Sequence, residues 1–276
     1  MLTHASEARL KTEQLVGTGL TSEVFSWGDD HVLKLFLPWV ASATIEREFG
    51  VTQAICASGV PTPAAIEILQ VGERRGIVFE RIRGMSLLKR VEGRPWMLFA
   101  GARQLAELHA RIHACAAPDQ LPTQRGQLER WIDEADDFTH EQKERARRHV
   151  SKLPAAACLC HGDFHPDNIL LTESGPKIID WSAATRGHPL ADVARTSVLF
   201  ESANLPPTSP VHIRFLMKIA RRMLHSAYLK RYLQLSPAAL EEIEFWRVPQ
   251  RMAGSAWRAG RRKAMETLVN SRPSAL

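Results

Sequence analysis

The chain lacks the features that mark membrane, secreted and repetitive proteins. No run approaches the roughly 18 consecutive apolar residues a membrane span requires, so no membrane partner is expected. Residues Met1 to Leu10 carry neither an apolar core nor a small-residue cleavage site, which argues against a secretory signal. Cysteines number only four, Cys56, Cys115, Cys158 and Cys160, and they show no framework spacing. They are expected as buried thiols in a reducing cytoplasm. Cys158, Cys160 and His161 lack a second ligand pair, which removes a structural zinc site. Internal repeats and low-complexity stretches are absent. Lys and Arg exceed Asp and Glu by 36 to 30, for a net charge of +6. The densest basic cluster near the end, Arg261-Arg262-Lys263, is short and has no interleaved aromatics, so no nucleic-acid partner is expected.

What is present is a chain of 276 residues, 45% hydrophobic, enough for one large domain or two lobes. The first 83 residues read as strand-rich with one helix. Strand patterns cover Glu13 to Val16, Glu23 to Trp27, His31 to Phe36, Ala65 to Val71 and Gly76 to Glu80. Between the first two lies Gly17-Thr18-Gly19-Leu20-Thr21-Ser22, a turn whose backbone N–H groups could cover phosphates. Lys34 is the one cation inside its apolar strand. Ser42 to Ser58 reads as a helix capped by Ser42, and Glu46 and Glu48 both lie on it as candidate partners for Lys34. From Ser86 onward helical periods dominate: Trp96 to Cys115, Leu128 to Arg148, and Val211 to Leu268 interrupted at Ser236-Pro237. His109 and His113 read as hydrogen-bonded core groups of the first of these. The second begins acidic, with Glu129, Asp133, Glu134, Asp136 and Asp137, and turns basic; that order suits a helix dipole or an acidic wall for a cationic ligand.

The most informative stretch is His161-Gly-Asp-Phe-His-Pro-Asp-Asn168, followed by Asp180-Trp181. Two apolar runs, Ile169 to Leu171 and Lys177 to Ile179, flank the turn Thr172 to Pro176 and read as a hairpin. A hairpin returns Asp180 toward Asp163 and Asn168. Phosphoryl transfer requires such a set: oxygen ligands for Mg²⁺ and an acceptor for the substrate hydroxyl's proton. Asp163 is the candidate base, Asn168 and Asp180 the candidate metal ligands. A lysine on the third strand, here Lys34, suits the α and β phosphates.

With these residues the chain resembles the aminoglycoside phosphotransferase/choline kinase-like family, whose loop runs His-Gly-Asp-x-His-x-x-Asn and whose metal-binding Asp is followed by Trp. The resemblance covers roughly residues 15 to 200. Protein kinases differ, having Arg where Gly162 stands and Phe-Gly where Trp181-Ser182 stand. The resemblance implies an α+β, two-lobed protein-kinase-like fold: residues 1–83 a small nucleotide-binding lobe with an antiparallel sheet and one helix, residues 84–276 a larger, mainly helical catalytic lobe. It implies transfer of the γ-phosphoryl group of ATP, or of GTP, to a hydroxyl of a small molecule with Mg²⁺. A nucleotide-binding relative without catalysis and a protein kinase are the alternatives. It selects Glu48, through Arg47-Glu48, as the partner of Lys34, with Glu46 the alternative. It makes the segment from Glu80 through Ile82 the hinge facing adenine, with Gly17, Thr18 and Gly19 over the phosphates. Gly187-His-Pro-Leu-Ala-Asp192 resembles the family's Gly-Asp-Pro-x-x-Asp, which makes Asp192 an anchor for the catalytic loop. The acceptor is left open.

Overall fold

Strand β3 (His31–Phe36) shows how sequence alternation sets the layout of the first part of the chain. Leu33 and Leu35, both fully buried, point to one face of the sheet, where they cluster with Trp27, Val71 and Val78. Lys34 and Phe36 point to the other face, the period-2 consequence of a pleated strand. There Phe36 packs with Ile45, Ala65 and Ile77. The computed structural model describes residues 13–19, 21–135, 138–202, 208–247 and 249–251. The chain divides into two compact units, Met1–Met85 with Leu170–Ser182, and Ser86–Ile169 with Ala183–Leu276.

The first unit holds an antiparallel sheet in the order β1-β2-β3-β5-β4, from β1 (Leu15–Thr18), β2 (Ser22–Ser26), β3, β4 (Ala65–Val71) and β5 (Arg74–Glu80). Gly76 lies opposite Leu35 where β5 pairs with β3; a Cβ there would lie 2.7 Å from a Leu33 methyl and 3.0 Å from the Lys34 carbonyl oxygen. Helix α1 (Ser42–Ala57) buries Ile45, Glu48, Val51, Thr52 and Ile55. Ser42 is not its cap: Ala41 holds the N-cap position without a side-chain bond, and Ser42 is the first helical residue. Gly17 and Thr18 also differ from expectation. Both pair within the sheet, opposite Val24 and Glu23, and the reversal tightens at Gly19, whose N–H donates to the Ser22 carbonyl at 2.8 Å. Leu20 lies outside the described residues.

A two-residue strand, β6 (Met85–Ser86), stands where the chain passes from the first unit to the second. The second unit is mainly helical. Short helix α2 (Leu87–Gly93) is capped by the Ser86 hydroxyl, and α3 (Leu98–His113) packs along the 25-residue α7 (Val211–Leu235). The stretch expected as one helix over 128–148 is two, α4 (Gln124–Asp133) and α5 (His140–Ser151). The break has a local cause. Thr139 caps α5 through the Gln142 amide, and the Gln142 side chain returns the bond, a reciprocal capping box that starts a new helix. Asp136 and Asp137 lie outside the described residues.

Strand β7 (Cys158–Cys160) leads into the loop from His161 to Asn168 and pairs antiparallel with β10 (Thr185–Gly187), Cys160 opposite Thr185. Strands β8 (Ile169–Thr172) and β9 (Gly175–Ile178) form the hairpin between loop and Asp180. Helix α6 (Pro189–Ser202) follows β10. Helix α7 stops at Leu235, before Ser236-Pro237, and helix resumes over 240–247. Trp257, the basic cluster 261–263 and the rest of the helix expected to run to Leu268 lie outside the described residues. Of the four cysteines, all free, only Cys160 is buried; Cys56, Cys115 and Cys158 are half-buried. Among the described residues no helix is long and apolar enough to cross a membrane.

Candidate active site

In the first unit, the face of β3 that carries Phe36 also carries Lys34 against α1. The Lys34 Nζ lies 2.6 Å from Glu48 Oε1 and 3.1 Å from Asp180 Oδ1. Glu46, two residues earlier on α1, faces outward and pairs with Arg75 at 2.9 Å. One helical turn explains the difference: Glu48 lies three residues after Ile45 on the buried stripe, and Glu46 does not. Glu48 is 3% exposed, and a carboxylate at that depth requires a cation. Burial works against the charged Lys34, but Asp180 and Glu48 outweigh it and raise the ammonium pKa, so the amine stays protonated. Burial raises the pKa of the Glu48 carboxyl, and the Lys34 charge opposes that rise.

Asp180 has φ 63°, and it is the one non-glycine among the described residues in the left-handed region. A non-glycine there is held by its surroundings at some energetic cost. Ser182 donates its hydroxyl to Asp180 Oδ1 at 2.9 Å. Trp181, 1% exposed, donates its indole N–H to the Thr62 hydroxyl at 3.0 Å and shares it with the Ile178 carbonyl at 3.1 Å. The Ile178 amide in turn donates to the Pro61 carbonyl at 2.8 Å. The segment after α1 therefore fixes the peptide on both sides of Asp180. Glu80 ends β5, and Ile82 lies two residues beyond it. The Glu80 amide donates to Ala64 and the Arg81 amide to Asp30, each at 2.9 Å, so residues 80 and 81 are pinned at both neighbours.

The loop from His161 to Asn168 lies in the second unit, between β7 and β8 in sequence. Gly162 has φ 79°, and a Cβ on it would strike the Ala183 carbonyl, so no side chain fits where protein kinases carry Arg. Instead Arg195 of α6 reaches back and donates Nε–H to the Gly162 carbonyl at 3.2 Å. The Asp163 amide donates to His161 Nδ1 at 3.2 Å, and Asp163 Oδ2 lies 3.6 Å from His165 Nε2. Asn168 donates its side-chain N–H to the Asp163 carbonyl at 3.0 Å. That bond fixes the amide orientation and makes Oδ1 its accepting end, the atom type a hard cation takes.

Behind the loop lies a buried polar network centred on Asp192. Its Oδ1 accepts the Gly162 amide at 2.8 Å, and its Oδ2 accepts the His161 amide at 2.5 Å. His109 Nε2 and His113 Nε2 approach the same Oδ2 at 3.1 and 3.3 Å. Each imidazole meets a tyrosine hydroxyl at Nδ1, Tyr228 on His109 and Tyr232 on His113, both at 2.7 Å. The bonds assign one consistent tautomer: Tyr O–H donates to Nδ1, and Nε2–H donates to the carboxylate. Burial, then His113, pushes the His109 pKa down to about 3, so it is neutral. Burial alone would raise the Asp192 carboxyl; the imidazoles outweigh it and hold it well below its usual range. His109, His113 and Asp192 are close enough to share a metal ion, yet each ligand atom already has a hydrogen-bond partner, and the network is complete without one. Phe164, fully buried, stacks on His109 at 4.1 Å, and Thr196 donates its hydroxyl to the Phe164 carbonyl at 2.9 Å.

Sequence reasoning missed Thr62, Arg195, Thr196, Tyr228 and Tyr232. A signal existed for the tyrosines: they are the only two in the chain, four residues apart, the spacing of His109 and His113.

The fold is shared by solved phosphotransferases. An aminoglycoside-3'-phosphotransferase of type VIII superposes with a TM-score of 0.60 at 19% identity, over 91% of this chain and 97% of that one. A choline/ethanolamine kinase family protein from Mesorhizobium loti gives 0.58 at 18% identity, over 100% and 90%. An amicoumacin kinase, solved with AMP-PNP, Ca²⁺ and its antibiotic, gives 0.61 at 13% identity, over 92% and 84%. Among curated proteins, acyl-CoA dehydrogenase family member 11 of Gallus gallus is 27% identical over 175 residues, 54% of this chain and 22% of that protein. The Rattus norvegicus protein of the same name matches at 27% over 184 residues. The chain thus spans less than a quarter of the length of these relatives. The model of the phosphotransferase enzyme family matches residues 13–246, and the chain belongs to that family.

Proposed function

We propose that the chain transfers the γ-phosphoryl group of ATP to a hydroxyl of a small molecule. The observation that carries this reading is the buried Lys34–Glu48 pair with Asp180 at its side. A protonated lysine fixed between two carboxylates costs desolvation, and phosphate binding gives that cost a purpose. ATP is a substrate here. Lys34 holds its α and β phosphates, Glu48 fixes the reach of the amine, and Gly17 and Thr18 at the end of β1, with Gly19 just after it, lie over the phosphates. Glu80 and Ile82 offer main-chain groups to the base.

The donor set suits Mg²⁺: Asn168 presents an amide oxygen and Asp180 a carboxylate. Bound there, the ion neutralises charge spread over the transferring group. Asp163 accepts the proton of the acceptor hydroxyl as its oxygen bonds to the γ-phosphorus and the bond to the β-phosphate oxygen breaks, leaving ADP. The Asp192 network keeps the loop amides of His161 and Gly162 fixed and so positions Asp163. Neighbours of this fold solved with ADP or AMP-PNP support a nucleotide donor. A reducing, ATP-containing compartment such as the cytoplasm fits this role and the unpaired cysteines. An ATP-consumption screen over sugars, amino alcohols, choline, aminoglycosides and, given the names of the matched relatives, hydroxyacyl thioesters tests it, with Asp163→Asn as blank. Consumption dependent on one acceptor class and absent from the blank supports it. Nucleotide binding without any acceptor-dependent turnover would instead favour a regulatory relative.

A further inference from the structure

Helices α3 and α7 run parallel and in register. The His109–Tyr228 and His113–Tyr232 bonds advance by four residues on both helices, about one turn each. Carried back at that step, Phe99 falls level with Lys218, so the two helix starts share one end of the second unit.

That end is apolar and open. Trp96, in the turn before α3, is 78% exposed, and Phe99, Phe215, Leu216, Ile219 and Met223 are exposed as well. Phe215, Ile219 and Met223 follow at i, i+4, i+8 on the side of α7 opposite the face that buries Leu224, Tyr228 and Tyr232. Leu224 is the first buried side chain of α7, so the first half of the helix stands outside the core. The Glu107–Arg231 ion pair, at 2.7 Å, joins the rows of the two helices. Steps of four back from it reach Phe99 on α3, and Met223 and Ile219 on α7. An exposed apolar row of this extent marks a docking surface.

Charge says what covers it. Residues 86–102 and 211–223 carry seven Lys and Arg against one acid, Glu92. Helix α7 contains no acid at all, and Lys218 and Arg222, both exposed, flank Phe215. Neither α3 nor α7 has an acid in its first turn, so both dipoles turn positive ends the same way. A second copy of this face would bring like charges together. Residues 252–276, with five Lys and Arg and one acid, would do the same. An anionic surface is matched instead. Exposed Trp and Phe beside Lys and Arg settle at a lipid boundary, the apolar groups among acyl chains and the cations at head groups.

We propose that this end of the second unit docks on an anionic lipid surface through Trp96, Phe99 and the outer row of α7. A spanning segment is not required, because the helix lies on the surface. The inference goes beyond the phosphotransfer reading and does not depend on it.

The test is co-sedimentation of the full chain with two sets of vesicles, phosphatidylcholine alone and roughly two parts phosphatidylcholine to one of phosphatidylserine. The expected result is binding to the second set only, weakened by added NaCl. Phe215→Ser with Ile219→Ser should weaken it about tenfold or more, and Lys218→Gln with Arg222→Gln by about as much. All four side chains are exposed, and circular dichroism checks that the fold is kept. Should the apolar pair fail to fold, Trp96→Ser serves. Binding to neither set, or equal binding to both, overturns the proposal. Binding that only the charge pair weakens is that of an acidic protein or nucleic acid and also overturns it. So does a dimer that the apolar pair dissolves, seen without vesicle binding, since the face then belongs to a second copy.

Discussion

Replacing Asp192 by Asn removes one charge and changes almost no volume, yet its cost is expected to be large. Asp192 Oδ2 accepts three donors and Oδ1 a fourth, all buried. An asparagine has one accepting oxygen. With that oxygen in the Oδ2 position, the amide N–H₂ confronts the Gly162 N–H, two donors face to face. Turned the other way, it confronts three. The cheaper orientation leaves the Gly162 amide unsatisfied, at about 1–3 kcal/mol, and weakens three charge-assisted bonds by roughly 1 kcal/mol each. Relief of a buried charge offsets part of this, so a net loss of about 3–5 kcal/mol is expected, the range for breaking one side of a buried charged network. Urea unfolding of the second unit, followed by Trp fluorescence beside the intact protein, reads it. Turnover should fall as well, because the His161 and Gly162 amides position the residue that follows. A loss below about 1 kcal/mol with turnover intact would refute the view that this carboxylate organises the loop.

Glu48→Ala should lower kcat/KM for ATP about tenfold or more, equivalent to ~1.4 kcal/mol of transition-state stabilisation per tenfold. Glu46→Ala, which breaks only an exposed pair with Arg75, should change it less than about twofold; equal effects would remove the distinction between the two acids. Stability should also fall in mild acid. His109 is held neutral with its pKa near 3, while the unfolded chain takes up that proton below about pH 6.5, so stability drops as pH falls from about 6.5 toward about 3, by up to ~1.4 kcal/mol per pH unit. Asp192 acts in a lower window, below about pH 3.9, because its folded pKa is depressed. Denaturant midpoints between pH 7.5 and pH 4.5 check this, and His109→Gln should flatten the slope.

Much of this was legible in the residues. The strand alternation around Lys34 set which face it occupies, and the loop from His161 to Asn168 carried the motif of the family to which the chain belongs. The placement of Glu48 over Glu46 follows from a helical stripe that was partly visible, since Ile45 and Ile55 already defined it. The broken helix at Thr139 could have been read as well: Thr139 and Gln142 have capping-box spacing, but the charge gradient across 128–148 masked it. Other features were not local. Thr62 meets Trp181 across 119 residues of sequence, and Tyr228 meets His109 across the same separation; only folding brings such groups together. Gly162 is a similar case. The sequence showed that the Arg of protein kinases was missing, and the structure shows a reason, the Ala183 carbonyl occupying the space of a side chain.

The central claim is that Asp163 takes the acceptor's proton while phosphate leaves ATP. Transfer of label from γ-³²P-ATP to a small-molecule product, compared between the intact protein and Asp163→Asn, tests it most directly. Labelled product that falls by roughly 10²–10⁴-fold in the variant, with ATP affinity preserved, is the predicted result. Label released only as inorganic phosphate, or transferred equally well by the variant, would contradict it.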